Sequence, residues 1–503
     1  MPILLLLCVM LACLEVAWPA PWLGTSPGQC IAVMLAAVGG VVGLAGFISY
    51  STARRLRTGQ DRERVLRRYL RLRYLHFFSL LAVFALLLYG LGWGWAVQQL
   101  LCMDPSAVEP GRAPLTWPGS ELAIIAPLLA MLVGSWLIFF DVERLIHRTA
   151  TPDLATERPY WSRAGYVWFH LRMNLAIIAL PATLNIGYQG LARVYPGTVH
   201  SDWFMVLMGV GFVGLILLMP IYLRLLLGLR SLPAGPVRDR LEATARRLRF
   251  RCTDLLVWDT SRGVANAMIV GLIPQVRYVL FTDRLLAELE PEELEAVLGH
   301  EVGHVKHGHM FLYMGLLLGG AMVLGAFWSM VEGLLNRLEE PPQWLRDLPP
   351  SYLALGPLAT LAVYVFLGFG FMSRRCERQA DIYGSRAVSC QRGLACTGHD
   401  ETTPLADEAR GLCPTGVQTM INALERVAML NGMHRRKPGW LASWQHSTIA
   451  KRCEFLEAIA RDPEIERRFQ RRLTVLRWAV FAALAAAMLA MGLIGGWEFV
   501  LPG

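Results

Sequence analysis

Long apolar runs alternate with short charged stretches along the whole chain. A helix needs about 20 apolar residues, at 1.5 Å each, to cross a hydrocarbon core of about 30 Å. Eight runs satisfy that length with few or no charges: 31–50, 77–97, 122–140, 173–192, 203–223, 310–331, 353–372 and 478–497. A ninth, 3–18, is shorter and carries Glu15. No Lys or Arg precedes it, so it is expected as an uncleaved span rather than a secretory signal. The segment 51–74 carries nine Arg, and Arg-rich short loops stay on the cytoplasmic side of a membrane. Loops 141–172 and 224–250 are also rich in Arg, whereas 98–121 holds only Arg112 and 193–202 only Arg193. Alternating the spans places 224–309 and 373–477 inside, and 332–352 and the C-terminus outside.

Two polar regions are long enough to fold beyond the bilayer. The first opens on a Pro/Gly linker and an Arg-rich amphipathic helix near 237–249. The runs 254–259, 266–273 and 276–283 follow, rich in Val, Ile, Leu and aromatics and bounded by Gly, Pro and Asp, as strands are. Pro291 then suits the first position of a helix over 291–309, with Glu292, Glu293 and Glu295 at its positive end. The second region reads as helices over 373–388, 417–432 and 449–462, interrupted by a loop at 389–415 that bears Cys, Gly and Pro. The expected organisation is an N-terminal transmembrane region 1–228, catalytic segments 229–309 and 373–477 separated by two spans in 310–372, and a C-terminal span in 478–503.

The helix 291–309 contains His300-Glu301-Val302-Gly303-His304. Residues four apart share one helix face, so two imidazoles can bind one Zn²⁺ while the glutamate between them takes a proton from water. A catalytic zinc needs a third protein ligand. A histidine six residues after His304 would supply one in the longer form of this motif, but that position holds Met310, with His307 before it. His307 and His309 are expected as solvent-facing groups or as partners of the ligands. Glu377, in Ser373-Arg374-Arg375-Cys376-Glu377-Arg378-Gln379-Ala380-Asp381, re-enters the same membrane face and is the expected third ligand. Asp381 lies one turn further, where it can accept a hydrogen bond from a ligand histidine.

Together these blocks resemble the integral-membrane zinc metallopeptidases of the HtpX and CAAX prenyl protease kind, over about 224–460. The resemblance rests on Asn266-Ala267, the HEVGH motif, the S-R-x-x-E-x-x-A-D block and His446-Ser447-Thr448-Ile449-Ala450-Lys451-Arg452. It implies zinc on His300, His304 and Glu377, with Glu301 as general base and His446 and Arg452 near the scissile carbonyl. It further implies that strand 266–272, led by Asn266 and Ala267, pairs with an extended substrate. The His-Pro of that family is His446-Ser447 here. In the loop 389–415, Cys396 and His399 have a ligand-like spacing, and with Cys390 and Cys413 they form a possible second, structural zinc site. Free thiols in a reducing compartment are the alternative.

Composition narrows the class further. Of 503 residues, 54% are hydrophobic and 17% charged, against roughly a quarter charged in soluble proteins. The net charge of +9 is carried almost wholly by Arg, with Lys only at 306, 437 and 451. A disordered chain, a nucleic-acid coat and an ordinary cytosolic enzyme are excluded. The expected fold is mainly α: a polytopic helical membrane protein of eight or nine spans with a cytoplasmic, zincin-like α+β catalytic unit. Its expected activity is a zinc metalloendopeptidase acting on membrane-associated or misfolded proteins, with the lipid bilayer and peptide substrates as partners and no nucleic acid. Arg in place of Lys points to a high-GC genome and a bacterial inner membrane. A CAAX-type prenyl-protein peptidase is the alternative within the enzyme class, and a transporter or zinc-sensing scaffold the alternative outside it.

Overall fold

The computed structural model describes residues 2–13, 17–104, 114–150, 160–199, 201–261, 263–337, 350–353, 355–399, 403, 405, 412–433 and 447–495. The chain divides into two compact units, Met1–Phe212 with Pro342–Leu358, and Val213–Pro341 with Ala359–Gly503. The first holds α1 (Pro2–Ala12), α2 (Pro27–Arg57), α3 (Arg62–Tyr89), α4 (Trp93–Leu100), α5 (Ser120–Ala150) and α6 (Arg163–Val194). Leu80, Phe84 and Leu87 of α3 share a core with Leu128 and Met131 of α5 and with Leu5 and Val9 of α1. The division between the units falls within α7 (Asp202–Leu227).

The second unit is built on a four-stranded sheet of β1 (Arg230–Ser231), β2 (Asp254–Trp258), β3 (Ala267–Val270) and β4 (Tyr278–Thr282), in the order β1-β2-β4-β3. β2 and β4 run parallel, and β3 joins β4 antiparallel with Ala267 opposite Phe281, which leaves β3 as an edge strand. Its helices are α8 (Pro236–Arg247), α9 (Pro291–Lys306), α10 (His309–Asn336), α11 (Leu355–Ala387), α12 (Pro414–Leu430), α13 (Ile449–Arg461) and α14 (Pro463–Gly495). Leu294, Leu298 and Val302, four residues apart on α9, pack with Leu255, Val279 and Phe281 of the sheet.

Among the described residues eight helices are long and apolar enough to cross a membrane: α2, α3, α5, α6, α7, α10, α11 and α14. These are the eight expected runs, and the chain is an integral membrane protein. The ninth run differs: α1 has 11 residues and rises about 16 Å, too little to span, and Glu15 lies outside the described residues. The run 77–97 is not one helix either. α3 stops at Tyr89, Gly92 takes φ +73°, and the Trp18 ring occupies the space beside Gly94 where a Cβ would stand. Several helices also outrun their apolar cores. α11 is continuous from the span through Glu377 to Ala387, and α14 begins at Pro463, because charged helix-forming residues prolong the backbone hydrogen bonding past the apolar segment.

Candidate active site

Two helices carry the metal-ligand candidates, and small residues let them meet. On α9, Gly299 and Gly303 face α11: a Cβ at Gly299 would lie 2.4 Å from that of Ala387, and one at Gly303 would lie 2.8 Å from that of Tyr383. Gly384 of α11 is equally constrained, since its Cβ would come 2.8 Å from the Ala296 carbonyl oxygen. This close approach brings His300, His304 and Glu377 together, with one donor atom of each within 4.8 Å of the others. His300 Nε2 is 3.3 Å from His304 Nε2 and 3.7 Å from Glu377 Oε2, and His304 Nε2 is 3.6 Å from Glu377 Oε1.

The groups behind these three orient them. His300 Nδ1 stands 3.0 Å from Asp381 Oδ1, although the pair is poorly aligned for a straight hydrogen bond. Asp381 is fully buried and accepts from Arg452 Nε at 2.7 Å, while Arg452 Nη1 reaches to 3.3 Å from Glu377 Oε2. On the other side, α9 does not run straight into α10. Gly308 takes φ +67° and turns His309 inward, where it is fully buried. Gln379 Nε2 donates to Gln470 Oε1, so Gln379 Oε1 accepts from His309 Nε2 at 2.9 Å. His309 Nδ1 is then an acceptor for His304 Nδ1–H at 3.0 Å, which leaves the lone pair of His304 Nε2 facing Glu377. His309 therefore proves to be a partner of the expected ligands and not a solvent-facing group.

This donor set suits zinc. Two imidazole nitrogens and a carboxylate oxygen converge, and further polar groups hold their outer atoms, which is a donor set that zinc takes. The electrostatics favour a cation there. Burial disfavours the His300 imidazolium, yet Asp381 and Glu377 beside it hold its pKa above the ordinary value, against the opposing charge of Arg452. Burial likewise opposes the Arg452 charge, and Asp381 and Glu377 outweigh it, so the guanidinium stays protonated.

A cavity of about 660 Å³ opens onto these groups, with Glu301, Arg452 and Tyr313 in its wall. Asn266, Ala267 and Met268 line another side, so the edge strand faces the same space as Glu301. Asn431, which the sequence did not single out, fixes the start of that strand: its Oδ1 accepts from Ala265 N–H at 3.0 Å and its Nδ2 donates to the Ala265 carbonyl at 2.7 Å. His446 lies outside the described residues. Its neighbour Ser447 lines the cavity with φ +63°, a conformation a proline cannot adopt, so Ser447 could not be the proline of a His-Pro pair without a change of backbone. The four residues Cys390, Cys396, His399 and Cys413 form a separate group of potential ligands.

A family model described as peptidase family M48 matches residues 231–397. A protein named protease HtpX homolog from Pyrobaculum islandicum is 31% identical over 265 residues, covering 51% of this chain and 72% of the relative. A probable CAAX prenyl protease 1 from Schizosaccharomyces pombe is 30% identical over 200 residues, covering 38% of this chain and 40% of the relative. Among the first curated relatives, the matched stretch spans between 24% and 56% of their length. The crystal structure of S. mikatae Ste24p aligns with 84% of this chain and 98% of that one at 15% identity, with a TM-score of 0.47 that is too low to argue from. The long match to the Pyrobaculum relative, together with a family model that spans the sheet, the HEVGH helix and Glu377, shows that this chain belongs to peptidase family M48.

Proposed function

We propose that this chain is a membrane-embedded, zinc-dependent endopeptidase that hydrolyses peptide bonds of membrane-associated or misfolded proteins at the cytoplasmic face. The catalytic part is formed by segments 229–309 and 373–477. The observation that carries this reading is the convergence of His300, His304 and Glu377 at a cavity whose wall holds both Glu301 and an edge strand. The Arg-rich short segments supply the orientation.

His300, His304 and Glu377 hold the zinc, which supplies Lewis acidity for the substrate carbonyl and the attacking water. Substrate lies as an added strand along the outer edge of β3, where unpaired N–H and C=O groups recognise any sequence. Glu301 takes the proton from the attacking water and returns it to the leaving amine. Asp381 stands behind His300 and His309 behind His304, and the two groups orient the imidazoles. Arg452 braces both carboxylates from the cavity wall, and His446 is assigned to the oxyanion by resemblance alone.

The test is hydrolysis of an unfolded model protein by detergent-purified, zinc-loaded enzyme, with Glu301→Gln prepared in parallel. Cleavage by the wild type that a chelator abolishes, and that Glu301→Gln lacks at unchanged zinc content, is the expected result. Turnover by Glu301→Gln would refute the assigned base. Because the S. pombe relative is named a CAAX prenyl protease, a prenylated C-terminal peptide is the second substrate to assay.

A further inference from the structure

The insertion between α11 and α12 holds a cluster that the proposed reaction does not use. Cys390 follows α11 by three residues, Cys396 and His399 stand in the loop, and Cys413 is the N-cap of α12. Three Sγ atoms and one imidazole nitrogen lie within 4.8 Å of one another, although the residues span 24 positions of sequence. The three thiols are 2%, 5% and 1% exposed. Buried cysteines commonly serve as small hydrophobes against aliphatic neighbours. Here, among the described residues, the three form a buried cluster of their own, apart from the adjoining apolar cores.

Two of the sulfurs meet polar groups at the start of α12, and Cys396 Sγ also donates to the Gly398 carbonyl at 3.4 Å. Cys413 Sγ accepts from the Gly416 N–H at 3.2 Å and lies 3.3 Å from His399 Nε2. Cys396 Sγ is 3.4 Å from Thr415 Oγ1. The Gly416 and Thr415 contacts come from the first turn of α12, where the helix end favours negative charge. A disulfide would use two of the sulfurs and leave a third buried thiol beside the half-buried His399 imidazole. A tetrahedral ion uses all four, and three thiolates with one imidazole are a donor set of structural zinc.

We propose that Cys390, Cys396, His399 and Cys413 bind a structural zinc ion that clips the insertion to the end of α11 and the start of α12. The two helix ends already approach closely there: Cys413 N–H donates to Ser389 Oγ at 3.0 Å, and Ser389 Oγ donates to the Ser385 carbonyl at 2.8 Å. A Cβ at Gly416 would lie 2.4 Å from Ser389 Oγ. The clip fixes α12 against the helix that carries Glu377 and Asp381, so its loss loosens the helix pair behind the candidate active site without removing a catalytic group.

The full-length chain, loaded with zinc or cobalt in detergent under reducing conditions, tests this. The expected result is two metal ions per chain, falling to one in Cys396→Ser and in Cys413→Ser. Cobalt-loaded protein should show a thiolate-to-cobalt charge-transfer band that Cys396→Ser abolishes and Glu377→Ala leaves intact. His399→Cys, which replaces one zinc ligand by another, should keep the metal, whereas His399→Ala should release it more readily to a chelator. The active-site candidates contain no sulfur, so the band stays readable even if the protein cleaves nothing, and the two proposals fail separately. No charge-transfer band in the wild type, or a disulfide among these cysteines under non-reducing mass spectrometry, overturns the proposal. Should the serine variants not fold, the wild-type band and the His399 pair decide it.

Discussion

Replacing Asp381 by Asn tests the support of the candidate metal site without touching its three ligands. Asp381 is fully buried, holds Arg452 through Nε at 2.7 Å, and stands 3.0 Å from His300 Nδ1. Asparagine keeps the volume and an acceptor oxygen but removes the charge. The Arg452 guanidinium, already 3.3 Å from Glu377 Oε2, then draws on Glu377 alone of these two carboxylates and competes with the metal for it. Losing such a partner of a metal ligand costs about 10- to 100-fold in metal affinity, roughly 1.4–2.7 kcal/mol. Breaking a buried ion pair costs about 3–5 kcal/mol of stability. Glu377 retains part of the pairing, so the lower end applies, an apparent melting midpoint lower by about 3–5 °C for a chain of this size. The double variant Asp381→Asn/Arg452→Met removes both charges; its midpoint should return most of the way to the wild type, while metal affinity stays low because His300 still lacks its carboxylate. Thermal unfolding of metal-free protein in detergent and dialysis against graded chelator measure the two quantities. Wild-type metal affinity in Asp381→Asn, or a double variant as unstable as the sum of the single ones, would refute the reasoning.

Glu377→Ala should lower bound zinc by one equivalent per chain by elemental analysis, and unchanged content would place the third ligand elsewhere. Gly384→Ala forces a Cβ to within 2.8 Å of the Ala296 carbonyl oxygen and 3.1 Å of the His300 N atom; overpacking of this kind costs about 1–3 kcal/mol. Its midpoint and metal affinity should fall together, and a variant that binds metal normally would show that the helix contact does not set the site. Burial, aided by the charges of Arg477 and Arg386, holds the His307 pKa down to about 4. Between that value and the unfolded value of about 6.5 the unfolded chain binds the extra proton, so stability is full above the window and is lost as pH falls through it. His307→Asn should therefore shrink the drop in melting midpoint between about pH 7 and about pH 5, and an unchanged drop would exonerate His307.

The sequence by itself determined whatever is written in neighbouring residues. The eight spans follow from runs of apolar side chains, and the three main strands follow from local composition. The pair His300 and His304 needs only the pitch of one helix. Helix ends were less legible, because apolarity reports the bilayer and not where backbone hydrogen bonding stops; hence α11 and α14 run past their apolar cores, and Gly92 and Gly308 break helices that the pattern joined. Tertiary structure alone decided contacts between residues far apart in the chain. Glu377 comes 73 positions after His304, and it meets the histidines because Gly299, Gly303 and Gly384 let two helices close on each other. The Arg452 brace on two carboxylates, the relay from Gln379 through His309 to His304, and the Asn431 clamp on Ala265 are also of this kind. Each depends on which face of one packed element reaches another. Local spacing prescribes the faces a helix owns, but only the packed core decides which of them meet.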